Sequence, residues 1–422
     1  MRISTLQAFN NGVNGIQRNY SNATRTQEQI STGNRILTPA DDPVASVRLL
    51  QLEQQQSVLG QYNSNLTAAK NSLTQEEVTL NSVNTVLHRV RELTVQAGNG
   101  ALDPQDRKSI AAELGQREDE LLALMNTRNA RGEYLFSGFQ GKTQPFVRAA
   151  DGSYSYAGDE GQRKLQVASS LQVAISDNGK SVFENVTNAG RYNSKLVSAE
   201  LPGSTLSVSA PLVQDEVALG GNPAFPTNGV GVHFTSDTQY VVYDLDDAPD
   251  FGALPIDPAL VLASGSVDRK EGTADQLVFR GMVMKFDGLP TGGESIEIKL
   301  DPQVQKQGIL DTIANLRKAL EEPTTPNTGV RDAVAVALTN LDHGMVNVDA
   351  ARGNIGARLN VIETTQTDNE DVTLVNKGVQ AELRELDYAE ALSRLSLQTV
   401  VLEAAQQSYV KVSGLSLFNV MR

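Results

Sequence analysis

Two adjacent carboxylates, Asp41 and Asp42, stand between Pro39 and Pro43 in the stretch STGNRILTPADDPVAS, residues 31–46. A pair of acids can hold a metal or divide the work of general acid and base. Neighbours in sequence diverge around a helix and alternate across a strand, however, so they seldom converge on one atom. Capping explains the residue types better. Asp42 reads as a helix N-cap that accepts from orphan backbone N–H groups, and Pro43 as the first helical residue, where its missing donor is not needed. Gly33 to Pro43 is then a connector between two helices, and Pro39 keeps the first helix from running straight on.

The other candidates for chemistry are weaker. FSGFQGKTQPF, residues 136–146, nearly spells a phosphate-binding loop, but Phe136 stands where that loop needs glycine and Pro145 where a helix should open. DLDDAPDFG, residues 244–252, is the densest acidic run. It puts Ala248 at a position where a calcium loop needs a ligand, so it reads as a solvated loop. Asp244 and Asp247 are the acids a glycan-hydrolase reading would use, which requires a fixed separation in a cleft. His88, His233 and His343 fall in three separate segments with no G-x-S-x-G elbow. The expectation is therefore no catalytic, cofactor or metal site, and no enzyme.

Composition narrows the classes further. With 50 acidic against 36 basic residues and a formal net charge of -14, the chain repels a nucleic-acid backbone. It has no cysteine, hence no disulfide staple, thiolate metal site or thiol nucleophile. The N-terminal residues lack the apolar core of about 7 to 15 residues that a secretory leader carries, and no run of about 18 apolar residues occurs. The expectation is a chain without a cleaved signal peptide or membrane insertion.

These residues must be positioned by helices at both ends. Val13, Ile16, Tyr20, Ala23, Gln27 and Ile30 follow a 3,4 spacing, the seam of a helix packed on a helix, with Gln27 a polar residue that sets register. Leu59 to Ala97 keeps the same spacing, broken only by Glu76 and Thr94, which predicts a rod of roughly 55 to 60 Å. GNGALDP ends it, and Pro104 opens a third helix. Past residue 145 glycines multiply and the apolar pattern shortens to alternation, as in 229–234, 282–286 and 295–300, which predicts strands. The helical period returns from Ile309, and Leu383 to Val412 carries it to the C-terminal end through Leu392, Leu395, Leu402 and Tyr409. Leu415, Leu417 and Phe418 keep that end apolar where a monomer would normally be frayed and polar, so association is expected. The fold class is α+β: a terminal coiled coil of 1–42 with 383–422, a helical rod of 43–165 with 301–382, and an inserted β-rich head of 166–300.

MRISTLQAFNNGVNGI with ISTGNRILTPADDPVAS, RGEYLFSGFQGKTQPF, RGNIGARLNVIE (352–363) and SLQTVVLEAAQQSYVKVSGLSLFNVM resemble the flagellin-type axial proteins of the bacterial flagellum. The likeness covers roughly the first 150 and last 110 residues. The YLFSG phrase and the ending lean toward the junction members between hook and filament, with the filament subunit as the alternative. The resemblance implies that the terminal helices pair in the inner tube of a helical array, with Val13, Ile16, Tyr20, Ala23 and Ile30 against Leu392, Leu395, Leu402, Tyr409 and Val412. It implies as partners further copies of the chain, the preceding hook-associated protein, flagellin, a chaperone on the C-terminal segment, and the flagellar type III export apparatus. It implies no cofactor, an extracellular place in the flagellum, and free ends that order on docking.

Overall fold

The computed structural model describes residues 5–197, 204–252, 256–268 and 275–420, with the side chains of 5, 6, 8 and 413–420 outside the description. The order is helices, strands, helices, in an α+β fold: α1 (Thr5–Thr32), α2 (Pro43–Ala97), α3 (Pro104–Met125), a β-rich middle holding the short α4 (Glu216–Leu219), then α5 (Ile309–Glu321), α6 (Asn327–Arg384) and α7 (Tyr388–Val420). No helix of the described residues is long and apolar enough to cross a membrane. The chain divides into two compact units, one of residues 1–66, 167–170 and 363–422, the other of 67–166 and 171–362. The long helices α2 and α6 contribute residues to both.

In the larger unit, the seam that spacing predicts on α2 is buried along its length, with Leu73, Leu80, Val83, Leu87 and Val90 fully enclosed. The two polar exceptions are buried as well. Thr94 donates its hydroxyl to the Val90 carbonyl at 2.7 Å, four residues back on its own helix. Glu76 accepts the Asp177 N–H at 3.0 Å, and burial, reinforced by the charge of Asp177, pushes its carboxyl well above the ordinary range. Arg91 to Asp342 at 2.7 Å and Arg352 to Glu77 at 2.9 Å tie α2 to α6 along an antiparallel register.

Asp103 starts α3 by accepting from the Gln105 and Asp106 N–H groups ahead of Pro104 at the first helical position. This helix packs against α5 around Glu118, which is wholly buried and fully partnered. Tyr154 donates its hydroxyl to Glu118 at 2.5 Å, Arg148 at 2.9 Å and Arg317 at 2.9 Å. Losing both arginines would strand a buried charge, the costly way to break such a cluster.

The β-rich middle opens with two small hairpins, Phe146–Arg148 with Tyr154–Tyr156 and Lys164–Gln166 with Gln172–Ala174. The head follows as two sheets. One has the spatial order Val261–Ser266, Gln239–Asp244, Val230–Ser236, Ser295–Leu300, Tyr192–Leu196, each pair antiparallel. The other pairs Asp275–Phe279 with Met282–Asp287, whose far edge takes Ser207–Val208 and Leu212–Val213. Their apolar faces meet in one core that includes Phe234, Met282, Met284, Phe286, Ile296 and Ile298. The head is anchored to α6 within this unit by the bidentate pair of Arg331 with Asp287, at 3.1 and 2.8 Å, and by Asn340, which accepts the Ala189 N–H at 2.7 Å.

Glu184, facing Asp311 and Lys180, has its carboxyl pushed up to about 7, first by burial and then by the charge of Asp311. A carboxyl whose folded pKa exceeds its unfolded value binds its proton more tightly in the folded state, so stability is lost as pH rises from about 4.5 through 7. Glu184→Gln is therefore expected to raise the melting temperature at pH 8 and to leave it nearly unchanged at pH 4.5; equal effects at both pH values would contradict this placement.

Candidate functional site

The joint and the end helices belong to the smaller unit. Asp41 and Asp42 do not converge on one point. Asp42 accepts the Ala45 N–H at 3.0 Å, and its carbonyl accepts the Ser46 N–H at 2.9 Å, so it sits at the N-cap of α2 with Pro43 at the first helical position. Asp41 closes the turn that contains Pro39: its backbone N–H donates to the Thr38 carbonyl at 2.9 Å, and its carboxylate accepts the Leu37 and Thr38 N–H groups at 2.9 and 3.0 Å. The Arg25 guanidinium meets the same carboxylate. The Thr38 hydroxyl donates to it as well, at 3.2 Å, so the lone pairs used here go to backbone, a hydroxyl or an arginine, which is structural work, and the described residues hold no group of three or more metal-ligating side chains.

The connector is also clipped to a second joint 350 residues later. Arg35 N–H donates to the Arg384 carbonyl at 2.8 Å and Leu386 N–H to the Gly33 carbonyl at 3.0 Å, two bonds of a short antiparallel bridge. The Arg35 guanidinium adds a bond to the Leu383 carbonyl at 3.0 Å, and Gln29 donates to the Arg35 carbonyl at 2.6 Å. Gly33 has φ +72°, and a Cβ there would lie 2.9 Å from the Tyr388 hydroxyl, so backbone angle and space both demand glycine. A cleft of 640 Å³ opens beside the clip, lined by both signs of charge, among them Arg25, Arg35, Arg394, Glu385 and Glu390.

Spacing carries the last seam unbroken from Leu383, but the structure interrupts it. Helix α6 stops at Arg384, and α7 begins at Tyr388 under the cap of Asp387, which accepts the Ala389 and Glu390 N–H groups at 2.9 and 3.1 Å. Asp387 with Glu390 three residues on is a capping-box spacing, the local signal that marks this restart. Arg25, Gln29 and Arg35 had no such signal, because their partners are fixed only by the fold.

Helices α1 and α7 pack antiparallel. At one end Phe9 and Tyr409 bring their ring centroids to 5.3 Å, and Gly12 lets the Tyr409 ring approach so closely that a Cβ would stand 2.9 Å from it. At the other end Gly33 meets Tyr388. Among the seam residues, Ala23 is buried, while Val13, Ile16, Ile30, Leu395, Leu402 and Tyr409 are half-buried. Tyr20, Gln27, Leu392 and Val412 are exposed, and the side chains of Leu415, Leu417 and Phe418 lie outside the described residues. Exposed aliphatic residues continue on α7 at Leu397, Val400, Val401 and Val410. A single partner thus covers only part of the apolar surface of these helices.

The remaining sequence candidates stay apart. Asp244 accepts the Asp246 N–H at 3.0 Å and caps the single turn Leu245–Asp247, while Asp247 is exposed. His233 Nδ1 lies 2.7 Å from Ser295 Oγ with its ring stacked on Phe251, and burial alone lowers its pKa. His343 Nδ1 lies 2.9 Å from the Thr187 carbonyl oxygen, and His88 is exposed.

The profile of the bacterial flagellin N-terminal helical region matches residues 3–141, which contain α1, the joint, α2 and α3. Flagellar hook-associated protein 3 of Salmonella typhimurium is 34% identical over 188 residues, 44% of this chain and 58% of that relative. The chain resembles flagellar hook-associated protein 3. The crystal structure of flagellar hook-associated protein 3 from Legionella pneumophila is 28% identical, with a TM-score of 0.62, and covers 79% of this chain and 98% of that one. The crystal structure of the flagellar junction protein FlgL from the same organism is 28% identical, with a TM-score of 0.60, and covers 80% and 100%. The matched stretch spans little more than half the length of the Salmonella hook-associated protein 3.

Replacing Asp42 by Ala leaves the Ala45 N–H without its acceptor and is expected to cost about 0.5 to 2 kcal/mol. Faster hydrogen exchange confined to the first turn of α2 is the check. Gly33→Ala, forced into a left-handed backbone angle at a cost of about 1 to 2 kcal/mol, is expected to speed exchange at the Arg35 and Leu386 amides as well; protection unchanged at both would mean that the clip does not hold the joint.

Proposed function

We propose that this chain is a structural subunit of the bacterial flagellum that forms the hook–filament junction, joining the hook-associated layer to the flagellin filament, and that it catalyses no reaction. The observation that carries the reading is the pair of end helices, antiparallel to each other and still exposing Tyr20, Val400, Val410 and Val412. Apolar surface left over after intrachain pairing is surface for further copies. The likeness to proteins called hook-associated protein 3 and junction protein supports the place of that array in the flagellum.

In this reading, 1–42 with 383–422 form the assembling inner element, 43–165 with 301–382 the rod, and 166–300 a surface head. The inner seam uses Val13, Ile16, Tyr20, Ala23 and Ile30 against Leu392, Leu395, Leu402, Tyr409 and Val412, with Gln27 setting register and Leu415, Leu417 and Phe418 extending it. Copies meet head to tail, which generates a helical turn instead of a closed dimer. The chain leaves the cell through the flagellar type III apparatus with a chaperone on its C-terminal segment, and its place is extracellular.

Deleting residues 383–422 in the native cell, with flagellin assayed in the medium and on the cells, tests this. Hooks that remain while unpolymerised flagellin leaks out is the expected result. Filaments growing normally would remove the terminal seam from assembly and the proposal with it.

A further inference from the structure

Within the smaller unit α2 buries Ala45, Leu52, Leu59 and Leu66, but the α6 stretch is inverted relative to an ordinary packed helix. Its interface on the α6 side is polar: Thr365, Asn369 and Asn376 are buried there, and Asn369 donates to Asn63 of α2 at 3.3 Å. Both helices also expose aliphatic residues. On α2, Val44, Val47 and Leu50 are 81%, 58% and 68% exposed, and on α6, Leu374 and Val375 are 71% and 65% exposed. An isolated subunit has no reason to put asparagine inward and leucine outward, because that arrangement forgoes burial at both places.

The two outward strips carry opposite charge. Arg48 stands among Val44, Val47 and Leu50, and Glu370 and Asp371 stand beside Leu374 and Val375, all exposed. Among the described residues neither Arg48 nor Asp371 has an ion-pair partner. Within one chain the strips cannot meet. Asn63 opposite Asn369 puts Leu374 level with residue 58, about 11 residues and roughly 16 Å along the pair from Val47.

Building on the assembly reading above, we infer that the Val44–Val47–Arg48–Leu50 strip of one copy docks on the Glu370–Asp371–Leu374–Val375 strip of the next copy of this chain. The surfaces are different from each other and sit on different helices, so each copy offers one and receives one. Such heterologous contacts propagate instead of closing. The axial offset between the strips supplies a stagger from copy to copy. The aliphatic residues give the contact its burial, and the charges at the rim select the register and reject the reversed pairing.

A chain without cysteine suits a test by disulfide cross-linking. The full chain with Val47→Cys and Leu374→Cys, produced in cells whose filaments the parent chain restores, is oxidised and run without reductant. A ladder of multimers is expected from the double variant and none from either single variant, since two cysteines bridge only when their Cα atoms come within about 7 Å. Dimers from Val47→Cys alone would mean a two-fold contact and overturn the inference. So would the absence of a ladder while filaments form, an outcome that leaves the junction reading standing; failure of the parent chain to restore filaments counts against that reading instead. In the cysteine-free chain, Arg48→Glu is expected to lower the number of filamented cells several-fold and Arg48→Glu with Asp371→Arg to recover it. Equal filament numbers in all three chains would equally overturn the contact.

Discussion

Everything in the smaller unit answers to one constraint: the two ends of a long chain must cover each other, and neither has enough partner surface to be covered fully. Helices in a protein draw most of their stability from packing an apolar face on a partner. Helices α1 and α7 meet that need only in part, along an antiparallel contact that begins at Phe9 and Tyr409 and finishes at Gly33 and Tyr388. The apolar residues left outside leave the pair only partly covered within one chain. Incompleteness is a hazard in a free protein and a requirement in a subunit.

The joint is polar because it must fix direction. Apolar contacts are roughly isotropic and would let the connector slide, whereas hydrogen bonds set register. Residues 33–35 and 384–386 exchange backbone bonds, and Asp41, Asp42 and Asp387 each occupy orphan N–H groups at a turn or helix start. The same preference for register shows inside the α2–α6 pair, where Asn63 and Asn369 meet at 3.3 Å. A polar residue at a helix seam gives up stability and gains a specified alignment.

Much of this was legible in the sequence. The 3,4 spacing on α2 predicts most of its buried face, with Thr79, Val86 and Leu93 buried beside that seam, and the Asp42–Pro43 pair predicts its start. The alternation at 229–234, 282–286 and 295–300 predicts strands that the head contains. What could not be read has a common cause. The Arg35 bond to Leu383 spans 348 residues and the Glu76 bond to Asp177 spans 101, and no local pattern encodes either. The break at 385–387 was hidden because the apolar period continues across it, and only the Asp387–Glu390 cap interrupts the helix. Periodicity also predicts which residues are apolar on α7 without saying which of them the intrachain partner reaches, so the exposure of Leu392 and Val412 emerges only from the fold.

The central claim is that the α1–α7 pair is completed by other copies. Hydrogen exchange measured amide by amide on the free chain and on the chain within isolated flagella tests it most directly. The account predicts that protection rises most along α1 and α7, above all near Tyr20, Leu392 and Val400 to Val412, while the head core around Phe234 and Met284 stays as it was. Equal protection of α1 and α7 in both states would mean that the pair is already complete in one chain, and would contradict the account.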